Sequence, residues 1–376
     1  MPPVIIKKTW KEVNAERKSQ RKKWKEQKLL KTAGFKKGIE DLENNAKEHQ
    51  ESNFNGNDDA NKLVLSSSQS INSLLTVSIA VPGSILSNAQ SAELRTYLAG
   101  QIARAACIYK VDEIIVFDDV GNANEGLLPN TVANDCFHLA RTLQYLECPQ
   151  YLRKHIFPMH RDLQYAGVLN PLDAPHHLRQ TEDFPFREGI VTSHSKKEKG
   201  SYVNVGLLKE VCIDKHLIPG IRVTVRLLPS KGNSKKKHGV VVSPSTPKQE
   251  LGVYWGYTVR IANSLSDVFA KCPYEEGYDF TIGTSDKGEP INSCNDCDFS
   301  SVKHVLIAFG GLQGLEAALE NDETLEINDV SLLFDKYLNT CVGQGSRTIR
   351  TEEAILISLA QLVDKFSPFH NTSKDP

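Results

Sequence analysis

Apolar positions along this chain follow two rhythms. Residues 74–81 (LLTVSIAV) form a short apolar run closed by Pro82-Gly83, and residues 113–117 (EIIVF) form another closed by Asp118-Asp119. Short apolar runs bounded by turn residues predict buried strands. Between them, residues 89–109 carry Leu94, Leu98, Ile102, Ala105 and Ala106 at helical spacing. The unit is therefore strand, helix, strand, the crossover that builds a parallel sheet. A second helix is expected over 130–146, followed by a proline-punctuated stretch from Phe157-Pro158 to Pro175-His176-His177.

The pattern changes over residues 185–251. Segments 189–192, 202–205, 222–227 and 239–242 are short and β-rich, and polar turns separate them, including 231–237 (KGNSKKK). This predicts a small antiparallel barrel of the OB type inserted in an α/β domain; a β insert that only shields or dimerises the main domain is the alternative. Afterwards the α/β rhythm returns, with strands expected at 257–261, 279–282, 304–309 (HVLIAF) and 336–342. A last helix over 352–366 sets Ile355, Leu359, Leu362 and Phe366 on one stripe, with Thr351 placed to cap it and Glu352-Glu353 suited to its dipole.

Charge divides the chain further. The net charge is only −1, yet residues 1–40 hold thirteen Lys/Arg against four Glu. Arg21-Lys22-Lys23 within this block favours nuclear import or nucleic-acid contact over a merely solvated helix. Residues 44–70 turn to Asn, Ser, Asp and Gln, as in a linker. The expected organisation is a basic tail (1–43), a polar linker (44–71), an α/β domain in two parts (72–184 and 252–370), the barrel (185–251) and a short tail (371–376). Apolar residues at 40%, with 14 Phe and 11 Tyr, exclude a wholly disordered chain. No apolar run has the length of a membrane span, and the lysine-rich start carries no signal core, so a nuclear or cytosolic protein without membrane partners is expected. Eight scattered Cys read as reduced thiols.

Candidate chemistry gathers after the strands. Loops 282–285 (IGTS), 309–314 (FGGLQG) and 339–354 (NTCVGQGSRTIRTEEA) end strands on what should be one sheet edge, where open α/β sheets bind ligands. Glycines there let backbone amides approach a ligand. None matches a phosphate loop or the dinucleotide Gly-x-Gly-x-x-Gly, and no Gly-x-Ser-x-Gly elbow is present, which disfavours NTPases, NAD enzymes and hydrolases. Cys294-x-x-Cys297 has metal-like spacing but lacks four ligands, so no metal is expected. His176-His177 reads as a structural turn. In the insert, Lys196, Lys197, Lys199, Lys231, Lys235, Lys236 and Lys237 beside Tyr202 suit an RNA strand.

The order strand, glycine loop, strand, glycine loop, then Ile349-Arg350-Thr351-Glu352-Glu353-Ala354 entering the last helix resembles the SPOUT class of S-adenosylmethionine-dependent RNA methyltransferases. The likeness covers about 72–370 and lies within the subfamily carrying an inserted barrel. Its most specific element is the 349–354 segment, which is similar to the Leu-Arg-x-Glu-Thr-Ala signature of bacterial uridine-N3 rRNA methyltransferases. The resemblance implies a trefoil knot, a rare departure from ordinary chain connection. It implies that Thr284, Gly310, Asn339, Thr340, Gly345, Ile349 and Ala354 line the adenosyl pocket. Gly100, Ile102 and Arg104 match the Asn-x-Gly-x-Ile-x-Arg marker of one branch, while Leu98 stands where that marker has Asn. Arg104 would hold a phosphate of the target nucleotide, possible across a dimer interface, or serve an internal ion pair instead. Uracil N3 carries a proton that must leave, and Glu353 or Glu352 is placed to take it. The implied partners are ribosomal RNA, a second copy of the chain, and kinetochore or spindle proteins, and the implied location is the nucleus and nucleolus. A non-enzymatic dimeric scaffold, or methylation of another position such as guanine N1, are the rival readings.

Overall fold

A computed structural model describes residues 75–121, 131–196, 200–229, 237–294, 302–325 and 327–366. The chain divides into Met1–Asn72 and Ser73–Pro376, and all described residues belong to the second unit. The basic tail, the linker, Lys197, Lys199, Lys231, Lys235, Lys236 and Cys297 lie outside the described residues.

Strands β1 (Thr76–Pro82), β2 (Glu113–Phe117), β8 (Thr258–Ala262), β9 (Phe280–Pro290), β10 (His304–Ala308) and β11 (Lys336–Asn339) form a six-stranded sheet ordered β11-β9-β10-β1-β2-β8. Every pairing in it is parallel. The strands are apolar on both faces because both are covered. Ile79, Val81, Ile114, Val116, Val305 and Ile307 pack with helices α1 (Ala92–Ile108), α2 (Thr131–Glu147) and α7 (Thr351–Phe366). Ala80, Ile115, Leu306 and Ala308, at the alternate positions, are equally buried on the opposite face. One buried acid interrupts this apolar sheet. Glu113 is paired in place with Arg260 Nε at 2.8 Å and also accepts hydrogen bonds from Tyr278 OH at 2.9 Å and Ser78 Oγ at 3.0 Å.

The insert is a closed barrel, β3-β4-β5-β7-β6, built from β3 (Phe186–Lys196), β4 (Gly200–Asn204), β5 (Val211–Ile213), β6 (Arg222–Leu227) and β7 (Lys237–Val242). Val203, Val211, Val225 and their neighbours fill it. Its pairings are antiparallel except β5 with β7, a parallel contact that closes it. The three-residue β5 was not expected from the sequence, since so short a run carries no periodicity. Helix α3 (Gln150–Ile156) docks the barrel through a cluster of Cys148, Leu152 and Ile190. Short helices α4 (Thr246–Leu251), α5 (Leu265–Ala270) and α6 (Gly314–Glu320) complete the chain.

Two expected elements change in the cavity region. β9 runs on to Pro290 because β11 pairs first with Ile282 and Gly283 and then, after a register shift, with Glu289 and Pro290. β11 itself stops at Asn339, where the chain leaves the sheet. The start of α7 also differs. Thr351 is its first residue and does not cap it; its hydroxyl donates to the Gly310 carbonyl at 2.9 Å. That N-terminal start is capped by Glu353, whose Oε2 accepts from the Arg350 amide at 3.0 Å, one half of a capping box.

Candidate functional site

Beyond the C-terminal ends of β1, β10 and β11, and beside the middle of β9 at Thr284, Ser285 and Asp286, lies a cavity of about 860 Å³. Thr284, Gly310, Asn339, Thr340, Ile349 and Ala354 all line it. Side-chain hydrogen bonds clamp the three loops together. Thr284 Oγ1 donates to the Ala308 carbonyl at 2.9 Å, Asn339 Nδ2 donates to the Asp286 carbonyl at 2.9 Å, and Thr340 Oγ1 shares a 2.7 Å bond with Ser358 Oγ on α7. With the Thr351–Gly310 bond, these contacts hold segment 340–350 beside β9 and the loop after β10.

The two glycines implied to line the pocket differ in the space around them. A Cβ on Gly310 would lie 2.5 Å from the Gly314 carbonyl carbon and 2.6 Å from the Leu315 nitrogen, so the loop can fold back on itself only without a side chain. Gly345 is corrected: it does not line the cavity, has open space where a Cβ would stand, and lacks a positive φ. It sits on the outer turn of its loop, where a glycine-rich sequence reads the same as one on the inner wall.

The opposite wall went unread in the sequence. Ile85, Asn88 and Gln90, from the turn after β1, and Leu94, Tyr97 and Gln101 on α1 close the cavity. Pro82-Gly83 marked only the strand's end; what brings this turn to the site is β1 lying beside β10. Behind the glycine loop, Asp119 accepts from Ser84 N at 3.2 Å and from Ser84 Oγ at 2.5 Å. Burial pushes its carboxyl above the usual range although the Ser84 bonds oppose this. Its Oδ2 would stand 3.1 Å from a Cβ on Gly311, so it backs the loop from the protein side.

A smaller cavity of about 260 Å³ lies between α1 and α7, and Arg104, Glu352 and Glu353 line it. Tyr97, Gln101, Glu352 and Glu353 border both cavities. The structure thus brings Arg104 and Glu353 to one place. Arg104 Nη1 donates to the Leu172 carbonyl, and among the described residues no carboxylate pairs with it. The barrel lysine Lys237 is exposed on β7 and does not line either cavity. His176 and His177 are structural, as expected: both rings bond the Glu147 carbonyl, at 2.8 and 2.7 Å. Among the described residues there is no cluster of metal-ligating side chains, and no helix is long and apolar enough to cross a membrane.

A family model described as putative RNA methyltransferase matches residues 76–362, the whole sheet domain with its barrel. The chain belongs to this family. The methyltransferase is 50% identical to the 28S rRNA (uridine-N(3))-methyltransferase of Drosophila melanogaster over 97% of this chain and 74% of that protein. It is 58% identical to the human protein of the same name over 76% of this chain and 77% of that one. Among solved structures, the SpoU methyltransferase AviRb from Streptomyces viridochromogenes in complex with AdoMet aligns at 12% identity and a TM-score of 0.24, covering 78% of this chain and 58% of that chain.

The cofactor such an enzyme needs fits the large cavity on this chain's own features. Its volume suits a ligand of that size. Leu312, 78% exposed, offers the cavity an apolar surface that none of the described residues covers. The folded-back Gly310 loop presents main chain, without a side chain, to a planar base. Thr284, Gly310, Asn339, Thr340, Ile349 and Ala354 would hold it.

Proposed function

We propose that this methyltransferase transfers a methyl group from S-adenosylmethionine to N3 of a uridine in large-subunit ribosomal RNA. The observation that carries the reading is the wall common to the two cavities. A methyl donor in the large one and a base in the small one can meet only there, and Tyr97, Gln101, Glu352 and Glu353 are the side chains present. The names of the Drosophila and human relatives support uridine N3 as the target.

When bound, S-adenosylmethionine supplies an electrophilic methyl on a sulfonium. The chain's residues handle the base. Uracil N3 is a poor nucleophile until its proton leaves, and Glu353, exposed at the shared wall, is the carboxylate positioned to take it. The Gln101 amide offers one donor and one acceptor to the uracil edge. Holding the base against the donor supplies the orientational part of the acceleration. Arg104, with no carboxylate partner among the described residues, is available for the target nucleotide's phosphate. The barrel is proposed to select the RNA.

The active unit is proposed to be a homodimer. Leu94, Tyr97 and Ile108 along α1 and Leu356 on α7 are each 44–51% exposed, an apolar stripe beside the shared wall that a second copy would cover. Arg21-Lys22-Lys23 supports a nuclear location.

The decisive experiment incubates purified protein with S-adenosylmethionine and a large-subunit rRNA transcript and identifies the methylated nucleoside by mass spectrometry. N3-methyluridine is expected. A product methylated only on guanine or on the ribose, or cofactor binding without any product, would replace this reading with one of its rivals.

A further inference from the structure

We infer that the face formed by α2, α3 and segment 157–165 is a track for an unpaired RNA strand, leading from the barrel to the large cavity. This rests on the RNA substrate proposed above and adds the route by which the substrate reaches the site.

The face is continuous. At the cavity end, Ile85 and Asn88 line the wall, and Ser87 of the same turn hydrogen-bonds Asp135 at the start of α2. Further along α2, Arg141 contacts His160 at 3.2 Å and pairs with Asp162. Tyr145 packs edge-on against Phe157 at 5.5 Å, while Arg153 of α3 lies 4.5 Å over the Tyr145 ring. At the far end, His155 Nε2 lies 3.5 Å from Asn204 Nδ2 on barrel strand β4.

Its charge is one-sided. Residues 135–172 contain Asp135, Glu147 and Asp162 as their carboxylates. Each faces a cation: Asp135 faces Arg95 of α1 at 3.9 Å, Glu147 pairs with Arg222 and Asp162 with Arg141. Lys154 and Arg161 are exposed, and among the described residues no carboxylate pairs with either. His155 and His160 are exposed beside them. A protein of net charge −1 thus keeps an uncompensated cationic strip on this face, the footprint of a polyanion.

Exposed apolar side chains stand among these charges. Phe137 is 51% exposed and Met159 is 103% exposed. Their presence decides between duplex and single strand. Uracil N3–H is the Watson–Crick donor, so a base presented for N3 methylation is out of a duplex and its neighbours have free faces. Unpaired bases stack on aromatic side chains while cations follow the backbone.

The test uses the full chain with the double substitution Lys154→Glu/Arg161→Glu, and Phe137→Ala separately. The matched control, Lys110→Glu/Lys303→Glu, makes the same charge change just before β2 and β10, at the opposite edge of the sheet. Affinity for an unpaired oligoribonucleotide is measured against salt, and S-adenosylhomocysteine binding by calorimetry reports the folded site. The track variant should bind RNA about tenfold or more weakly, with a log–log salt slope shallower by about 1.4, the value for two lost single-strand phosphate contacts. Phe137→Ala should weaken binding without changing the slope. Should the acidic substitutions impair folding, Lys154→Gln/Arg161→Gln should show the same shift in slope. Equal RNA binding by wild type and track variant, or equal losses in track and control variants, would overturn the inference. A wild type that holds the cofactor but neither binds nor methylates RNA would overturn the functional reading and the track with it.

Discussion

Arg222 on barrel strand β6 and Glu147 at the end of α2 form a two-pronged ion pair, with Nη1–Oε2 at 2.6 Å and Nη2–Oε1 at 2.9 Å. The same guanidinium donates through Nε to Glu188 of β3 at 2.7 Å. Glu147 is also met by His176 Nε2 at 3.1 Å, and Glu188 accepts from Trp255 Nε1 at 2.7 Å and Thr224 Oγ1 at 2.6 Å. A planar fork satisfies two buried acids at once, which a lysine cannot do. The barrel is therefore keyed to the sheet domain in one orientation.

Arg222→Ala should cost about 3–5 kcal/mol, because it leaves two buried carboxylates without their cation. Chemical denaturation measures the loss. Arg222→Lys should recover only part of it.

Acidification should destabilise the fold in two overlapping stages. Burial, helped by the neighbouring His176, holds His177 down at about 4, so its neutral form is favoured in the fold. That contribution is complete above the ordinary histidine value of 6.5 and is lost as pH falls toward 4. Burial alone would raise Glu147, but the bonds from His176 and Arg222 prevail and hold it at about 2. Its contribution is complete above 4.5 and is lost as pH falls toward 2. His177→Gln should flatten the first stage, worth at most about 3 kcal/mol, in denaturation curves taken across this range.

Gly310→Ala should weaken S-adenosylhomocysteine binding about tenfold or more, ~1.4 kcal/mol, because the added methyl meets backbone and not a movable side chain. Gly345→Ala should bind as wild type. Calorimetry on both variants distinguishes the glycine that shapes the loop from the one that merely lies in it.

Glu353→Gln separates two roles of one side chain. Glutamine can still accept from the Arg350 amide, so the helix start and the melting temperature should hold. The proton acceptor is gone, and kcat should fall about 10²–10⁴-fold while cofactor affinity stays the same. An unchanged kcat would leave Glu353 with its capping role alone.

Ile108→Glu combined with Leu356→Glu should yield a monomer in sedimentation, with S-adenosylhomocysteine binding or activity reduced if the partner completes the site. Both side chains are exposed in the single chain, so substitution should not perturb its core.

What local pattern determines, the sequence alone determined. Glu113–Phe117 and Arg222–Leu227 appear in the structure with the expected bounds, since each is a short β-rich run between turn residues. The loops after β10 and β11 were legible as one site with segment 282–285 because parallel strands run toward a single edge, although that segment lies within β9 and is not a loop after it. Tertiary structure decided the rest. The second half of β9 is polar (TSDKGEP) and becomes a strand only because β11 pairs with it after its register shift. Thr351 sits where a capping residue would, yet its hydroxyl goes to Gly310, a partner brought near by the return of α7 beneath the loop. Glu147 and Arg222 stand 75 residues apart in sequence, and each is an ordinary charged residue in its own segment. Their pairing exists only where the barrel docks, because burial makes an unpaired charge so costly that one partner requires the other.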